Sequence, residues 1–399
     1  MPEPVIETLR DLVRINSVNP HYAGGVPEQA LAEYVEHFFQ QRGIATWRQE
    51  VYPGRPNILA RLPGRPGGGR IVFEAHLDTV SVAGMPGDPW SGEIRDGKLY
   101  GRGACDTKGG MAAMMHAMLE LAAKPAGRAR EVLFAATIDE EYAYRGVVAL
   151  CDSLAPGVVD PECLSSSRPP RHPWTADAAI VAEPTQLRAV IASKGVLRWK
   201  IETQGVAAHS SKPHLGINAI EHMAHVIAAL QHETRRLAQK VHPLLGPATC
   251  NVGVIRGGVQ VNFVPDRCEI EVDRRLLPGE TPSAVWQAYH RLMEQLMADH
   301  PSMQVHMLPP MLTDWPLETQ ADAPAVVALS RVLAEYGLDA QPTGVPYGSD
   351  ASKFSQLGIP SMILGPGSID QAHAAEEYIE CAQVEQATEI YRRFVDAFA

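Results

Sequence analysis

The sequence predicts an α/β protein with two domains, and three observations support this prediction. Over residues 1–193, short aliphatic segments alternate with amphipathic helical segments, which is typical of a sheet covered by helices. From residue 194 the order becomes strand, helix, strand, strand, helix, strand, as in a split βαβ or ferredoxin-like α+β unit. The 399 residues also exceed what one hydrophobic core usually organises. We therefore predict a large domain formed by residues 1–193 and 309–399, with a small domain, 194–308, inserted into it.

The large domain is predicted to contain a mainly parallel sheet. Its strand candidates are short and rich in aliphatic or β-branched residues: NILARL, IVFEA, EVLFAAT, AAIVAE and, after the insertion, PSMILGPG. The helical spacing of apolar residues predicts helices at residues 27–43, 321–337 and 384–399. The segment RDGKLYGRG predicts a hairpin with Asp96 and Gly97 at its tip.

The small domain is predicted from alternating strands and two long helices. VLRWKIETQG alternates as a half-buried strand, and a helix follows over residues 216–240. TCNVGVIRGG and RCEIEVDRRL then predict two strands joined by a short connection, followed by a helix in SAVWQAYHRLMEQLMADH and a strand in MQVHML. Outside this domain, residues 156–174 are irregular in pattern and predict an exposed loop.

The composition excludes several classes of protein. A formal net charge of −11 argues against nucleic acid or an anionic membrane as partner, since both attract basic surfaces. No segment approaches the roughly 18 apolar residues of a membrane span, and the N-terminal segment lacks the basic start and apolar core of a secretion signal. Six cysteines are scattered without close pairing, which favours a reducing cytoplasmic compartment over a disulfide framework.

Histidines and acidic residues follow several of the predicted strands. His76 and Asp78 end the segment VFEAHLDTV, and on an extended backbone their side chains point to the same side. Alone, such a pair is more often an ordinary hydrogen-bonded pair than a metal site. Asp106 lies in a glycine-rich turn before a helix, where its charge would repel the pyrophosphate of a nucleotide. Another strand ends at the acidic residues 139–141, whose mutual repulsion a cation would relieve, and a solvated acidic turn is the alternative.

Two further groups complete this set. Glu183 ends the strand candidate AAIVAE, and His373 lies in a loop after the last strand candidate. Groups that follow parallel strands meet at one edge of the sheet, where α/β proteins build their sites. Two histidines and three carboxylates, without a thiolate, suit two borderline divalent cations, with zinc first and cobalt or manganese able to substitute. Glu140 then remains beside Glu141 as a candidate general base.

Several segments resemble the successive motifs of the di-zinc aminoacylase and carboxypeptidase family of metallopeptidases: EAHLDTV, GRGACDTKGGMAA, ATIDEE, AEPT and GPGSIDQAHAAEEYI. This family includes acetylornithine deacetylase, succinyl-diaminopimelate desuccinylase and glutamate carboxypeptidases, and the similarity covers nearly the whole chain. The resemblance implies a zinc-dependent exopeptidase-like catalytic domain that binds two Zn²⁺ ions. It implies one zinc ion on His76 and Glu183, the other on Glu141 and His373, and Asp106 as the ligand that bridges them.

The resemblance also implies roles for residues around the two zinc ions. Asp78 would orient His76, and Glu140 would take a proton from the zinc-bound water and return it to the leaving amine. On the inserted domain, His209 would stabilise the oxyanion that forms during the reaction.

Substrate binding and assembly are implied in the same way. Arg275, Asn262 and Ser349 match substrate-contacting positions of the family, and the planar fork of an arginine suits a free carboxylate. The resemblance implies that the inserted domain is both a lid and the dimerisation surface of a homodimer. It also implies that His209 can reach the metal centre of the partner subunit.

Together these features predict a cytoplasmic di-zinc hydrolase that cleaves the amide bond of an N-acyl amino acid, of the acetylornithine deacetylase or succinyl-diaminopimelate desuccinylase type. A dipeptidase or carboxypeptidase of the same family is the close alternative. It would use the same zinc ions and differ only in its substrate, a short peptide. The remote alternatives are a non-catalytic metal-binding assembly protein, against which Glu140 argues, and a cysteine hydrolase based on Cys105. The acyl group depends on loops whose geometry the sequence does not give.

Overall fold

The computed structural model describes residues 3–123, 128–154 and 175–398, so the loop predicted at 156–174 lies outside the described residues. In chain order, the helices are α1 (Pro4–Arg14), α2 (Gln29–Gln40), α3 (Gly109–Ala123), α4 (Arg145–Leu154), α5 (Ala219–Leu237), α6 (Pro282–Asp299), α7 (Pro324–Glu335), α8 (Ala351–Gln356) and α9 (Cys381–Ala397). In the same order, the strands are β1 (Ala45–Tyr52), β2 (Arg55–Leu62), β3 (Arg70–His76), β4 (Glu93–Arg95), β5 (Lys98–Tyr100), β6 (Glu131–Thr137), β7 (Ala178–Val181), β8 (Val190–Ser193), β9 (Gly195–Gln204), β10 (Ala208–His209), β11 (Val241–His242), β12 (Gly246–Pro247), β13 (Thr249–Gly257), β14 (Phe263–Val264), β15 (Arg267–Leu276), β16 (Gln304–Met307), β17 (Leu312–Asp314), β18 (Leu317–Glu318), β19 (Thr343–Val345), β20 (Ser361–Ile363) and β21 (Tyr378–Glu380). No helix in these ranges is both long and apolar enough to cross a membrane.

The chain forms two compact units. The first unit contains Met1–Ile191, Thr319–Thr343 and Ser349–Ala399, and the second contains Ala192–Glu318 and Gly344–Gly348. The chain passes from the first unit to the second within β8 and again within β19. The domain boundaries expected from sequence, after residues 193 and 308, stay a prediction.

The first unit is built on a mixed sheet. Its strand order is β1-β2-β6-β3-β7-β20-β8. The four central strands, β6, β3, β7 and β20, run parallel to one another, whereas β1, β2 and β8 pair with their neighbours antiparallel. The sheet is therefore mixed rather than mainly parallel, which corrects the sequence prediction. β1 and β2 are joined by only two residues, Pro53 and Gly54, and so short a connection joins antiparallel neighbours only.

The central strands are buried because helices cover the sheet. In β3, every residue from Ile71 to His76 is buried. α3 packs against β3, β6, α1 and α9, and the rings of Phe73 on β3 and Tyr391 on α9 lie 5.5 Å apart. The hairpin predicted at Asp96–Gly97 is confirmed, since β4 and β5 pair and both turn residues have positive φ angles.

The second unit contains a five-stranded antiparallel sheet. Its main strand order is β13-β15-β9-β16, and β17 also pairs with β9. With α5 after β9 and α6 after β15, this is a split βαβ arrangement. The side chain of Asn218 accepts hydrogen bonds at the start of α5, and that of Thr281 does so at the start of α6. Trp199 lies fully buried in the core between sheet and helices.

The parallel strands of the first unit position the candidate site. β3 ends at His76, directly opposite Thr137 at the end of β6, and β7 and β20 end at Val181 and Ile363. Because parallel neighbours end at the same edge of the sheet, the residues that follow these strands emerge side by side.

Candidate metal centre

All the residues predicted to bind metal lie in the first unit, at this edge of its sheet. His76 is the last residue of β3, Glu141 follows β6, and Glu183 follows β7. Asp106 lies in the turn before α3, where its backbone is extended (φ −120°, ψ 92°), and His373 lies between β20 and β21.

The structure brings these side chains together in overlapping groups. In each group the donor atoms lie within 4.8 Å of one another: His76, Asp106 and Glu183 in the first, Asp106, Glu141 and His373 in the second, and His76, Glu140 and Glu141 in the third. The first two groups share Asp106, which is the arrangement that the sequence resemblance implies for two ions and one bridging ligand. The third group contains Glu140, so distance alone allows this residue to act as a ligand or as a base.

The two histidines turn one ring nitrogen each toward the shared aspartate. His76 Nε2 lies 3.0 Å from Asp106 Oδ1, and His76 Nδ1 lies 2.8 Å from the carbonyl oxygen of Asp78. Since a carbonyl only accepts hydrogen bonds, Nδ1 carries a hydrogen and Nε2 is the nitrogen that can bind a metal. His373 Nε2 lies 3.3 Å from Asp106 Oδ2 and 3.2 Å from Glu141.

Asp78 contacts His76 differently from the sequence expectation. Its carboxylate is 3.8 Å from His76 Nδ1, and its carbonyl makes the closer contact. The carboxylate instead accepts hydrogen bonds from the backbone N–H groups of Glu140 and Glu141, each at 3.0 Å. β3 ends at His76, so the alternation of a regular strand does not continue to Asp78. Asp78 thus holds the backbone of the candidate base and of one candidate ligand.

Burial dominates the electrostatics of the carboxylates in this site. It raises the pKa of Glu140 well above the usual value, and the charge of Glu183 adds to this shift. Burial, together with the charge of Asp106, likewise raises the pKa of Glu183 well above the usual value, and that of Glu141 to about 7. These acids disfavour their charged forms unless positive charge lies beside them.

Hydrogen bonds among the two histidines and Asp106 favour the charged forms of these three groups. Burial lowers the pKa of His76, but the hydrogen bond to Asp106 and the surrounding negative charge outweigh it and raise this pKa well above the usual value. Hydrogen bonds to Asp106 and Glu141 raise the pKa of His373 to about 10. Burial alone would raise the pKa of Asp106, but hydrogen bonds from His373 and His76 lower it below its usual range.

The donor set fits divalent cations. Imidazole nitrogens and carboxylate oxygens, without a thiolate, are ligands that zinc and other borderline ions accept. Two cations would offset the repulsion among these carboxylates, whose mutual charges raise their pKa values. The residues therefore fit a dinuclear centre, with His76, Asp106 and Glu183 at one ion and Asp106, Glu141 and His373 at the other.

A buried polar network beside the site was missed by the sequence analysis. Asn19 Nδ2 donates to Asp78 at 2.8 Å and to Asp139 at 3.0 Å, and Arg55 contacts Asp139 at 3.2 Å. Arg55 also donates to Glu28 at 2.7 and 2.6 Å. Asp139 is thus occupied by Asn19 and Arg55 and is absent from the three donor groups. The partners are far apart in sequence, so their spacing gave no signal.

The environment of Cys105 argues against a cysteine nucleophile. The thiol is buried and donates to the carbonyl of Ser368 at 3.3 Å. Burial, with the charges of Glu377 and Asp106, raises its pKa well above the usual value, whereas a nucleophilic cysteine needs a thiolate.

The glycine-rich turn has a packing reason: Gly103 has φ +83°, and a Cβ there would lie 2.8 Å from the side chain of Thr79.

The remaining predicted site residues occupy other places. In the second unit, His209 is exposed and its Nδ1 lies 2.8 Å from Ser211 Oγ, while Asn262 accepts a hydrogen bond from the backbone of Ser210 at 3.0 Å. Arg275, on β15, contacts Asp273 at 2.8 Å. Ser349 lies in the first unit, is fully buried, and accepts a hydrogen bond from the N–H of Ala351 at the start of α8. Their roles toward a substrate stay predictions.

Comparison with known proteins gives concordant matches. Residues 72–397 match the family model described as Peptidase family M20/M25/M40. An acetylornithine deacetylase of Myxococcus xanthus is 30% identical over 400 residues, which covers 98% of this chain and 96% of that relative. Among solved structures, aminopeptidase PepT of Bacillus cereus has a TM-score of 0.76 at 21% identity, covering 99% of this chain and 98% of its own. The YXEP protein of Bacillus subtilis, described as a dinuclear metal binding peptidase, has a TM-score of 0.70 at 18% identity, covering 98% and 96%. These structural likenesses show the fold.

Proposed function

This chain belongs to peptidase family M20/M25/M40, which makes it a metal-dependent amidohydrolase, and we propose that it removes the acyl group from an N-acyl amino acid. The observation that carries this proposal is the pair of donor groups that share Asp106, with the half-buried Glu140 beside them. The similarity to an acetylornithine deacetylase over nearly the whole chain favours deacylation over peptide cleavage.

Two zinc ions would be held by the donor groups described above, and cobalt or manganese would substitute. When bound, the metal ions would lower the pKa of a water molecule to roughly 7 and polarise the scissile carbonyl. Glu140 accepts one proton from the attacking water and delivers it to the nitrogen of the leaving amine as the C–N bond breaks. The water oxygen remains in the carboxylic acid product. Asp78 keeps Glu140 in position through the backbone N–H of that residue.

Three of the four proposed substrate contacts, Arg275, Asn262 and His209, lie in the second unit, and Ser349 lies in the first. Arg275 would bind the free carboxylate of the substrate, and its side chain is partly exposed, whereas the neighbouring Arg274 is buried and paired with Glu280 at 2.6 Å. Asn262 would contact the substrate as well, and His209 would donate a hydrogen bond to the oxyanion. Ser349 remains the weakest of these assignments because its hydroxyl is buried.

We propose further that the protein is a cytoplasmic homodimer that pairs through its second unit. β13 is an end strand of the five-stranded sheet, and apolar side chains lie exposed on it and on the segment that follows: Ile255, Val259, Val261 and Phe263. An exposed strand edge beside apolar side chains is commonly covered by a partner. The five described cysteines are all free thiols, which fits a reducing compartment.

A hydrolysis screen tests the substrate class. N-acetyl amino acids, N-succinyl amino acids and dipeptides are offered to the zinc-loaded protein, each with and without a free α-carboxylate. We expect N-acyl amino acids with a free carboxylate to be cleaved with the highest kcat/KM, because Arg275 would bind that carboxylate. Cleavage of dipeptides alone would contradict the deacylase proposal and support the dipeptidase or carboxypeptidase alternative. A zinc-loaded protein that cleaves none of them would contradict the proposed substrate class.

Replacement of His209 tests the proposed oxyanion contact. His209→Ala is expected to lower kcat by about 10² to 10³ with metal content unchanged, because one donor to the oxyanion is lost. His214→Ala is the matched control, since His214 is also an exposed histidine of the second unit and has no proposed role. Equal kcat values for the two variants would remove His209 from the mechanism.

A hybrid dimer tests whether His209 acts on the partner subunit. His209→Ala and Glu140→Gln subunits are each expected to be nearly inactive alone. If His209 acts across the dimer, mixed dimers contain one site with both residues intact and regain activity on subunit exchange. No recovery in a verified hybrid would show that His209 acts within its own chain or has no catalytic role.

A further inference from the structure

A buried carboxylate that the mechanism does not use lies behind the bridging-ligand candidate. We infer that Glu377 is a positioning residue that fixes Asp106 by holding its backbone, and that it thereby sets the affinity of the protein for both metal ions at once. Glu377 is 1% exposed and follows His373 by four residues. The inference rests on the metal-dependent function proposed above.

The hydrogen bonds of Glu377 Oε1 are directed at Asp106. This oxygen accepts from the backbone N–H of Cys105 at 2.9 Å and from that of Asp106 at 3.0 Å. Both N–H groups precede the first residue of α3, and the backbone of Asp106 is extended, so Oε1 supplies an acceptor that the helix does not. A single carboxylate oxygen therefore holds the two consecutive peptide groups that precede the α-carbon of Asp106.

The second oxygen of Glu377 is fixed by an arginine. Arg102 Nη1 donates to Oε2 at 2.5 Å, and Arg102 Nη2 donates to the carbonyl of Ala374 at 3.3 Å. Arg102 is only 3% exposed. The N–H of Gly101 also donates to the carbonyl of Glu377 at 3.0 Å. Side chains and backbone together thus tie the turn that contains Asp106 to the segment that contains His373.

The alternative to a positioning role is that Glu377 and Arg102 form a buried ion pair with a purely structural role. Such pairs are often no more stabilising than apolar residues of similar size, so stability gives little reason for this pair to be buried. The geometry favours the positioning role, because Oε1 binds the amide of a ligand candidate rather than a distant part of the fold. Asp78 makes the same kind of contact on the other side of the site, where it accepts from the consecutive N–H groups of Glu140 and Glu141.

Loss of the Glu377 contact and loss of the Asp78 contact are expected to affect metal binding differently. Asp106 belongs to both donor groups of the proposed dinuclear centre, so a displaced Asp106 weakens both binding steps. Glu141, held by Asp78, belongs to the group of only one of those ions. Loss of the Glu377 contact is therefore expected to lower the affinity for the first and the second ion to a similar extent.

A matched pair of double variants distinguishes the effect of the hydrogen-bond acceptor at residue 377 from the effect of its ion pair with Arg102. Glu377→Gln/Arg102→Met keeps an oxygen that can accept from the Asp106 amide, whereas Glu377→Met/Arg102→Met has nearly the same size and no such oxygen. Co²⁺ is titrated into the metal-free proteins and followed by visible absorption and calorimetry, and thermal unfolding of the metal-free proteins is recorded separately. We expect the Glu377→Met double variant to bind both ions about 10- to 100-fold more weakly than the Glu377→Gln double variant.

A control variant and the wild-type protein make the outcomes distinguishable. Glu131→Gln removes a carboxylate that pairs with Arg61 and Arg70 at the opposite end of β6, so it is expected to change the unfolding temperature without changing Co²⁺ affinity. Equal Co²⁺ affinities of the two double variants would overturn the inference while leaving the proposed function intact. Wild-type protein that binds no Co²⁺ would overturn the proposed function, and the inference with it.

Discussion

Glu140→Gln is expected to lower kcat by about 10² to 10⁴ while zinc content stays close to that of the wild-type protein. The amide keeps the size of the side chain and its backbone hydrogen bond to Asp78, but it cannot accept the proton of the attacking water. The measurement is kcat on the best substrate of the screen, together with metal content per chain.

The control for this variant is Glu376→Gln. Glu376 is an exposed acid two residues before the start of β21. It is expected to retain wild-type kcat and metal content. Distance alone allows Glu140 to act as a ligand, since it lies in a donor group with His76 and Glu141. If Glu140→Gln lost metal in proportion to its loss of kcat, Glu140 would be a ligand and the assignment as base would be wrong.

Asp106→Ala is expected to empty both metal sites and to lower kcat/KM by more than about 100-fold, beyond the effect typical of residues that only support a ligand. The physical reason is that Asp106 is the one side chain common to both donor groups of the proposed centre. It also separates His76 from His373, which lie 3.0 and 3.3 Å from its two oxygens. Metal content and kcat/KM are measured on the same preparation.

Asp370→Ala is the matched control, because Asp370 is an exposed acid close to His373 in sequence. A far-ultraviolet circular dichroism spectrum is recorded for both variants to establish that the fold is retained. A folded Asp106→Ala protein that still binds two ions with wild-type affinity would show that this aspartate does not bridge them.

The convergence of the ligand candidates could be predicted because it depends on local patterns. His76 ends an aliphatic strand and Glu141 and Glu183 each follow one, and neighbouring parallel strands end at one edge of the sheet. Composition then limited the metal, since no thiolate lies among the candidates. The structure brings these side chains together with Asp106 and His373, while the role of each as a ligand stays a prediction.

The supporting hydrogen bonds could not be predicted, because their partners are distant in sequence. Glu377 and Asp106 are separated by 271 residues, and Asn19 and Asp78 by 59. No regular spacing marks such a pair, and the choice of partner depends on how loops close after the strands have paired. The contact of Asp78 with the backbone of Glu140, rather than chiefly with His76, depends on the same loop geometry.

The strand pairing at the edges of the sheet could not be predicted from the sequence either. β1 has the sequence ATWRQEVY, whose middle residues 48–50 are all charged or polar, and among the described strands it pairs with β2 alone. A strand of this kind carries little of the aliphatic signal that identified β3, β6 and β7. The two-residue turn after β1 reverses the chain and gives one of the antiparallel pairings that make the sheet mixed, together with β2–β6 and β8–β20.

The most direct test of the proposed dinuclear metal centre is a metal titration of the wild-type protein. The protein is treated with a chelator, freed of it, and titrated with Zn²⁺ while bound metal and hydrolysis are measured on the same samples. We predict no hydrolysis in the metal-free protein, saturation at two Zn²⁺ ions per chain, and activity that returns as the sites fill, with Co²⁺ able to replace Zn²⁺. Full hydrolysis by verified metal-free protein would contradict a metal-dependent mechanism.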